Sequence, residues 1–206
     1  MAIGHTVPIS LGVSRSPPPD GLAFVFAAAR APREVATVFP TSAALAGRLL
    51  DGVDWTACDR VVELGPGAGA ITGHLLARLG ERSRYVGVEI NPDLVQVLNR
   101  RFPGVRMEVR PAHDLDAVVE DSSVDHIVAS LPWAVLDPAH QASTLARVHA
   151  ALRPGGTLRT YVCAHALLLP GGRAFLRRLR EVFGSVRRQP LEWRNLPPAY
   201  ALLARR

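Results

Sequence analysis

Short runs of β-branched and aliphatic residues alternate with stretches of helical period along most of this chain. That order predicts a parallel, doubly wound α/β sheet. The strand-like runs are Arg60–Leu64, Arg84–Glu89, Val105–Val109, Val124–Ala129 and Thr157–Cys163. Helical periodicity fills the intervals at Ala70–Leu79, Pro92–Phe102 and Pro138–Leu152. Pro92 stands just inside its helix start, where a missing N–H is no loss. Arg153-Pro154-Gly155-Gly156 reads as a helix stop and turn. Beyond the fifth strand, Gly172–Phe183 reads as a helix carrying Arg173, Arg177, Arg178 and Arg180. Two further strands follow, near Ser185–Glu192 and Ala199–Ala204, and the link Asn195-Leu196-Pro197-Pro198 suits an antiparallel hairpin. Five parallel strands and a closing hairpin make a seven-stranded sheet. Upstream, Leu22–Arg30 and Thr41–Leu50 read as accessory helices, broken at Pro32 and Pro40.

Composition narrows the class without choosing a function. The 206 residues fit one domain, and 48% hydrophobic content is ample for its core. Residues 1–20, with Ser16-Pro17-Pro18-Pro19, read as a flexible tail, which leaves 21–206 as the domain. That start lacks a basic segment followed by an apolar run, so it does not read as a secretory signal. The longest apolar stretches fall short of the roughly 20 residues a bilayer span requires. Cys58 and Cys163 offer neither metal-ligand spacing nor a disulfide framework, and a cytoplasmic protein with reduced thiols is the simplest reading. The formal net charge is +6, carried by Arg alone since the sequence has no Lys. A basic balance suits nucleic acid, an anionic membrane surface or an acidic substrate, and does not decide among them.

The sharpest signal is Val61-Val62-Glu63-Leu64-Gly65-Pro66-Gly67-Ala68-Gly69, a buried strand running straight into glycines and then a helix. Backbone must approach a ligand closely there, and Gly65, Gly67 and Gly69 leave the space. The spacing alone fits a dinucleotide site or merely a tight strand–helix turn. Glu63 argues against a dinucleotide, whose sites normally lack an acid at that place. The second signal is Glu89, closing the next strand about 20 residues past the glycines, where a carboxylate can accept both hydroxyls of a ribose. Ile90 follows, placed to pack on an adenine face. The plain alternative for a lone Glu, a solvated acid at a strand tip, loses ground once the glycine loop precedes it at this spacing.

Glu63–Gly69 together with Glu89-Ile90-Asn91-Pro92 resembles the class I methyltransferases. More narrowly, the chain is similar to bacterial phospholipid N-methyltransferases and, at greater distance, to ribosomal RNA adenine dimethyltransferases. Three stretches carry the narrower likeness: Ala129-Ser130-Leu131-Pro132-Trp133, Trp193-Arg194-Asn195-Leu196-Pro197-Pro198-Ala199, and Val38-Phe39-Pro40-Thr41-Ser42. RNA adenine dimethyltransferases have Asn where Ser130 stands. The resemblance covers about Leu22 to Arg206. It implies a Rossmann-like fold, S-adenosylmethionine as cofactor with its ammonium near Glu63 and its ribose on Glu89, and a Tyr near the place of Tyr161. One departure stands out. The family's Gly-Asp-Ala after the third strand, whose Asp holds the adenine amino group, is replaced by Arg110-Pro111-Ala112-His113-Asp114. Asp114 and Asp116 are candidate substitutes, though Asp114 reads more simply as a helix N-cap. The adenine is then left to backbone groups of Ala112 and His113.

Methyl transfer needs nucleophile, methyl carbon and sulfur in line, so positioning supplies much of the rate. The carboxyl ends of the strands are where cofactor and acceptor meet, and Ser130–Trp133 caps the fourth. Trp133 has two readings, a ring facing a cation or a core aromatic beside Pro132. An amine acceptor must lose a proton, which Tyr161, His165 or His113 could accept or relay. His165 also reads as a loop residue, and His126 as a core or sheet-face histidine. The Arg-rich helix and amphipathic Leu22–Arg30 suit a surface resting on anionic headgroups. A solvated basic helix is the plainer reading. Four functions compete: a phosphatidylethanolamine-like N-methyltransferase, a small-molecule methyltransferase of specialised metabolism, an RNA adenine methyltransferase, and a cofactor-sensing module without activity. Ser130 disfavours the third, as does the lack of a separate RNA-binding domain.

Overall fold

A computed structural model describes residues 41–206. The expected tail 1–20, the helix Leu22–Arg30 and the stretch Val38–Pro40 lie outside the described residues. Helix α1 (Ala43–Leu50) starts where Ser42 accepts the N–H of Leu45 at 3.2 Å, a side-chain N-cap. Its apolar stripe buries Leu45, Ala46, Leu49 and Leu50. Strand β1 (Arg60–Leu64) follows, then the short helix α2 (Thr72–Leu76), β2 (Arg84–Glu89), α3 (Pro92–Arg101) and β3 (Arg106–Val109). A 3₁₀ segment at Ala112–Ala117 precedes β4 (Val124–Ala129), α4 (Pro138–Ala151) and β5 (Leu152–Cys163). A second 3₁₀ turn, Ala164–Leu168, leads to α5 (Pro170–Phe183), β6 (Val186–Arg188) and β7 (Ala199–Arg205).

The sheet has seven strands in the order β3-β2-β1-β4-β5-β7-β6. The first five run parallel, and β7 pairs antiparallel with both β5 and β6. This is the Rossmann-like, doubly wound arrangement expected from the strand–helix alternation. The chain reverses its direction of winding between β1 and β4, which opens a crevice beyond their carboxyl ends. Each sheet face covers its own core. Val62, Leu64, Ile127, Leu158, Trp133 and Phe175 fill one with α4 and α5. Leu45, Leu49, Trp55, Val61, Leu75 and Val128 fill the other under α1 and α2.

Three elements differ from expectation by more than two residues at one end, each for a local reason. The fifth strand starts at Leu152 rather than Thr157, because Leu152 already pairs with Val124. Arg153–Gly156 is therefore a bulge within the strand, with Gly155 at φ +82, and not only a helix stop. Helix α2 is five residues long, shorter than Ala70–Leu79, and Gly73 within it adds nothing to helix stability. β6 ends at Arg188; Gln189 N–H still bonds the Ala201 carbonyl at 2.9 Å, and around Pro190 the register slips by one residue before the Glu192–Ala199 bridge.

Candidate active site

The crevice floor is the loop from β1 into α2. Gly65, Gly67 and Gly69 all have positive φ (+67, +59 and +85), a region where a side chain is strained. The loop is pinned by Gly65 N–H to the Val88 carbonyl and Gly69 N–H to the Pro66 carbonyl, both at 2.9 Å. The glycines then differ. A Cβ on Gly65 would lie 2.9 Å from the Leu131 side chain, and one on Gly69 2.6 Å from the Phe102 ring. A Cβ on Gly67 would meet nothing within 4 Å. Two of these glycines make room for protein; Gly67 faces open space.

Glu89 closes β2 beside that loop and is 7% exposed. Its carboxylate accepts Gly67 N–H and Asn91 N–H, each at 3.0 Å. Two lone-pair directions remain for hydroxyl donors. Glu89 thus holds the loop in shape as well as offering an anionic acceptor next to it. Ile90 projects beyond, 68% exposed, an unburied apolar face where a flat ring can lie.

Glu63 departs from its expected place. It is fully buried beneath the loop, so it does not reach open space and acts on a nearby cation only through its charge. Its Oε2 accepts the Tyr85 hydroxyl at 2.7 Å, while Oε1 and the Thr72 hydroxyl lack partners. Burial pushes the Glu63 carboxyl up to about 7, Tyr85 and Thr72 pull it down, and the negative Glu89 adds to the rise. Sequence reasoning missed Tyr85. The signal was the register: Gly87 lies directly beside Glu63, and a Cβ there would stand 3.1 Å from the Tyr85 hydroxyl. The missing side chain is what lets the phenol reach across.

The ends of β4 and β5 flank the other side of the crevice. Ser130 donates its N–H to the Leu64 carbonyl at 2.8 Å, which carries the β1–β4 pairing one residue past β4. The Ser130 hydroxyl is buried with no hydrogen-bond partner. Ala129 pairs with Thr160, so Tyr161 stands level with Ser130 on the neighbouring strand. The Tyr161 hydroxyl accepts a long hydrogen bond, 3.4 Å, from Thr41. Burial raises its pKa, so the neutral phenol is the working form and a phenolate base is disfavoured.

Trp133 resolves to its core reading. It is 2% exposed, donates its indole N–H to Thr160 at 2.7 Å, and stacks on Phe175 with centroids 4.5 Å apart. Its buried ring does not face a ligand cation. Asp114 is not an N-cap: it lies inside the 3₁₀ segment, whose cap position is Pro111, and no side chain caps it. Asp116 pairs with Arg147 of α4 at 3.2 Å, which removes it as a substitute acid. His113 stacks on His140 (4.5 Å) at the carboxyl end of the sheet, and Ala112 packs on the core beside it. His126 is a sheet-face residue, its Nδ1 2.8 Å from the Thr157 hydroxyl, and burial pulls its pKa down to about 4. His165 sits in the turn after β5. A groove of about 850 Å³ lies at the opposite end of the strands, lined by Arg60, Arg84, Arg106, Glu81 and Asp116, and shares nothing with the glycine loop.

Comparison with known proteins agrees with this geometry. Residues 61–156 match the family model described as a methyltransferase domain. That stretch, with the fold and the glycine loop, makes the chain similar to the class I S-adenosylmethionine-dependent methyltransferases. An uncharacterised methyltransferase of Mycobacterium tuberculosis is 35% identical over 112 residues, covering 52% of this chain and 42% of that one. The chain thus spans less than half the length of such relatives. An ornithine lipid N-methyltransferase of Singulisphaera acidiphila is 28% identical over 180 residues, 83% of this chain and 88% of that one. Among solved structures, the 1,6-didemethyltoxoflavin-N1-methyltransferase of Burkholderia thailandensis, with S-adenosylhomocysteine bound, superposes with a TM-score of 0.60. It is 19% identical and covers 95% of this chain and 93% of its own, a likeness of fold.

The residues present fit the family's cofactor, S-adenosylmethionine. Glu89 has free acceptor capacity, Ile90 an open apolar face, and Gly67 empty space before its backbone.

Proposed function

We propose that this methyltransferase acts on the amino nitrogen of a lipid headgroup, working from the cytoplasm at a membrane surface. The observation that carries the reading is the Ser130 hydroxyl, buried and partnerless at the end of β4, in a residue level with Tyr161 on the neighbouring strand. Two neutral hydroxyls carried by adjacent strands can accept N–H bonds from an aliphatic amine and aim its lone pair. They lack the amide donor-and-acceptor edge that grips a planar base. The match to a lipid N-methyltransferase over most of both chains supports the same acceptor class.

When bound, the cofactor supplies a methyl group on a positively charged sulfur. Glu89 and the Gly67 backbone would hold its ribose side, Ile90 its adenine, and Glu63, once deprotonated, would favour its cationic end. Ala112 and His113 would border the adenine in place of the family's acid. Ser130 and Tyr161 orient the amine, and the Tyr161–Thr41 contact gives the released proton a route towards the rim. Enclosing both hydroxyls in low dielectric strengthens these bonds.

Labelled cofactor incubated with aminolipid vesicles, RNA and soluble amines tests the acceptor. Label in lipid is expected; label in RNA alone would overturn the reading. Tyr161→Phe should lower kcat several-fold and leave cofactor affinity, read by calorimetry, nearly unchanged. A small-molecule acceptor is the second reading, favoured by near end-to-end superposition on the 1,6-didemethyltoxoflavin-N1-methyltransferase. Transfer to soluble amines but to no lipid would select it.

A further inference from the structure

Of eight large apolar side chains exposed among the described residues, seven lie at the carboxyl end of the sheet. Ile90 and Val109 border the cofactor side. On the acceptor side, Leu168 is 77% exposed, Trp193 75%, Leu196 53% and Leu169 41%. Leu168 and Leu169 sit where β5 passes into α5, while Trp193 and Leu196 belong to the link that enters β7. The two loops are joined by Ala164 N–H to the Pro198 carbonyl at 2.8 Å. They form one side of the mouth above Ser130 and Tyr161.

This side of the mouth is fixed. Glu192, 3% exposed, accepts Arg48 at 2.6 Å and Arg194 at 3.1 Å. Asn195, 5% exposed, accepts Ser42 N–H at 2.9 Å and donates to the Pro197 carbonyl at 2.8 Å. Trp193 lies between these two anchors and Leu196 between Asn195 and the Pro197 it bonds, and both side chains stand outward. A water-facing Trp on an anchored loop is a cost that folding alone does not explain. Its amphipathic ring suits the headgroup layer of a bilayer. Arg173, exposed in the first turn of α5, and exposed Arg194 add positive charge beside the leucines.

We infer that Trp193, Leu196, Leu168 and Leu169 form an interfacial patch that seats the mouth of the site on an anionic lipid leaflet. The inference rests on the lipid-acceptor reading and names the face that meets the lipid. The apolar tips enter the headgroup region, the arginines meet anionic lipid, and the headgroup amine is presented to Ser130 and Tyr161 without leaving the bilayer.

Trp193 supplies its own probe, because Trp55 and Trp133 are 3% and 2% exposed. Full-length protein is mixed with phosphatidylcholine vesicles carrying about 30 mol% phosphatidylglycerol, an anionic leaflet. A blue shift of emission and loss of acrylamide quenching are expected, both absent from Trp193→Phe, which still co-sediments. A Leu168→Ser, Leu169→Ser, Leu196→Ser variant should adsorb about tenfold more weakly or worse, with an unchanged melting temperature, since three exposed apolar contacts are removed. Adsorption without a Trp193 shift would mean that another face meets lipid, and would overturn the inference, as would no adsorption at all. The triple variant should lose transfer to vesicle aminolipid yet keep transfer to a monomeric short-chain aminolipid. A Trp193 shift with no methylation of either lipid form would uphold the patch and overturn the acceptor.

Discussion

Glu63 shows how one buried carboxylate turns a local arrangement into a measurable pH dependence. The folded protein holds its proton up to about pH 7, whereas an unfolded Glu releases it near 4.5. Stability from this group is therefore full below pH 4.5, falls as pH rises from there to 7, and is gone above it. The span corresponds to roughly 3 kcal/mol. Urea unfolding of the wild type should show that decline, and Glu63→Gln should flatten it. An equal decline in the variant would assign it to another group. The residue scale is also where the sequence was least readable. A Glu before a glycine loop identifies itself by spacing, but whether it faces ligand or core depends on Tyr85, which comes 22 residues later and lies across the sheet. Trp133 likewise kept two readings until Thr160 and Phe175 came to surround it.

At the scale of elements, sequence pattern and structure agree closely wherever one side of the pattern is buried. β1, β2 and β4 begin and end at the residues their apolar runs suggest, since slipping a strand by one place would expose its core face. Agreement fails where a bulge or proline intervenes, at Arg153–Gly156 and at Pro190. The glycine loop holds a finer distinction that spacing does not reveal. Gly69→Ala should lower the melting temperature clearly, as its methyl meets the Phe102 ring, while cofactor affinity falls only as far as the loop shifts. Gly67→Ala carries the backbone strain of positive φ, about 1–2 kcal/mol, and should fold. Its loss should appear in calorimetric titration of cofactor. Equal binding losses in both would mean that Gly67 does not face the ligand. A second prediction concerns α1. Arg48 reaches Glu192, Ser42 reaches Asn195, and Gln189 donates to the Arg48 carbonyl at 3.2 Å, so the helix is latched to the β6–β7 link. The arginines hold the Glu192 carboxyl down to about 2. Its latch is complete above pH 4.5 and is lost as pH falls through 2. Glu192→Gln should speed hydrogen exchange in α1 at neutral pH and leave α4 unaffected; uniform acceleration would point to global destabilisation instead.

Seen whole, the molecule has unlike ends. Apolar tips crowd the carboxyl end of the strands, and Arg60, Arg84, Arg106, Glu81 and Asp116 line a groove at the other. No helix among the described residues is long and apolar enough to cross a membrane. The Arg-rich α5 is less free than its sequence suggests: Arg178 is hydrogen-bonded to the buried Gln141, and Arg177 pairs with Glu181 at 3.5 Å. Arg173 and Arg180, both exposed, are the arginines of that helix left to act on an anionic surface. Adsorption to anionic vesicles should weaken as salt rises, because exposed charges are screened beyond about 10 Å at 0.1 M. Arg173→Ser with Arg180→Ser should shallow that salt dependence. An unchanged slope would place the attraction elsewhere.

The position of β7 has a consequence in time. The strand made last is not at the sheet's margin but between β5 and β6, and β6 has no other pairing among the described residues. Until residues 199–205 pair, the edge of β5 lies open from Thr157 to Cys163 and β6 has nothing to dock on. Tyr161 is on that open edge. Docking of β7 therefore completes the surroundings of Tyr161 and the pairing of β6 in one step of folding.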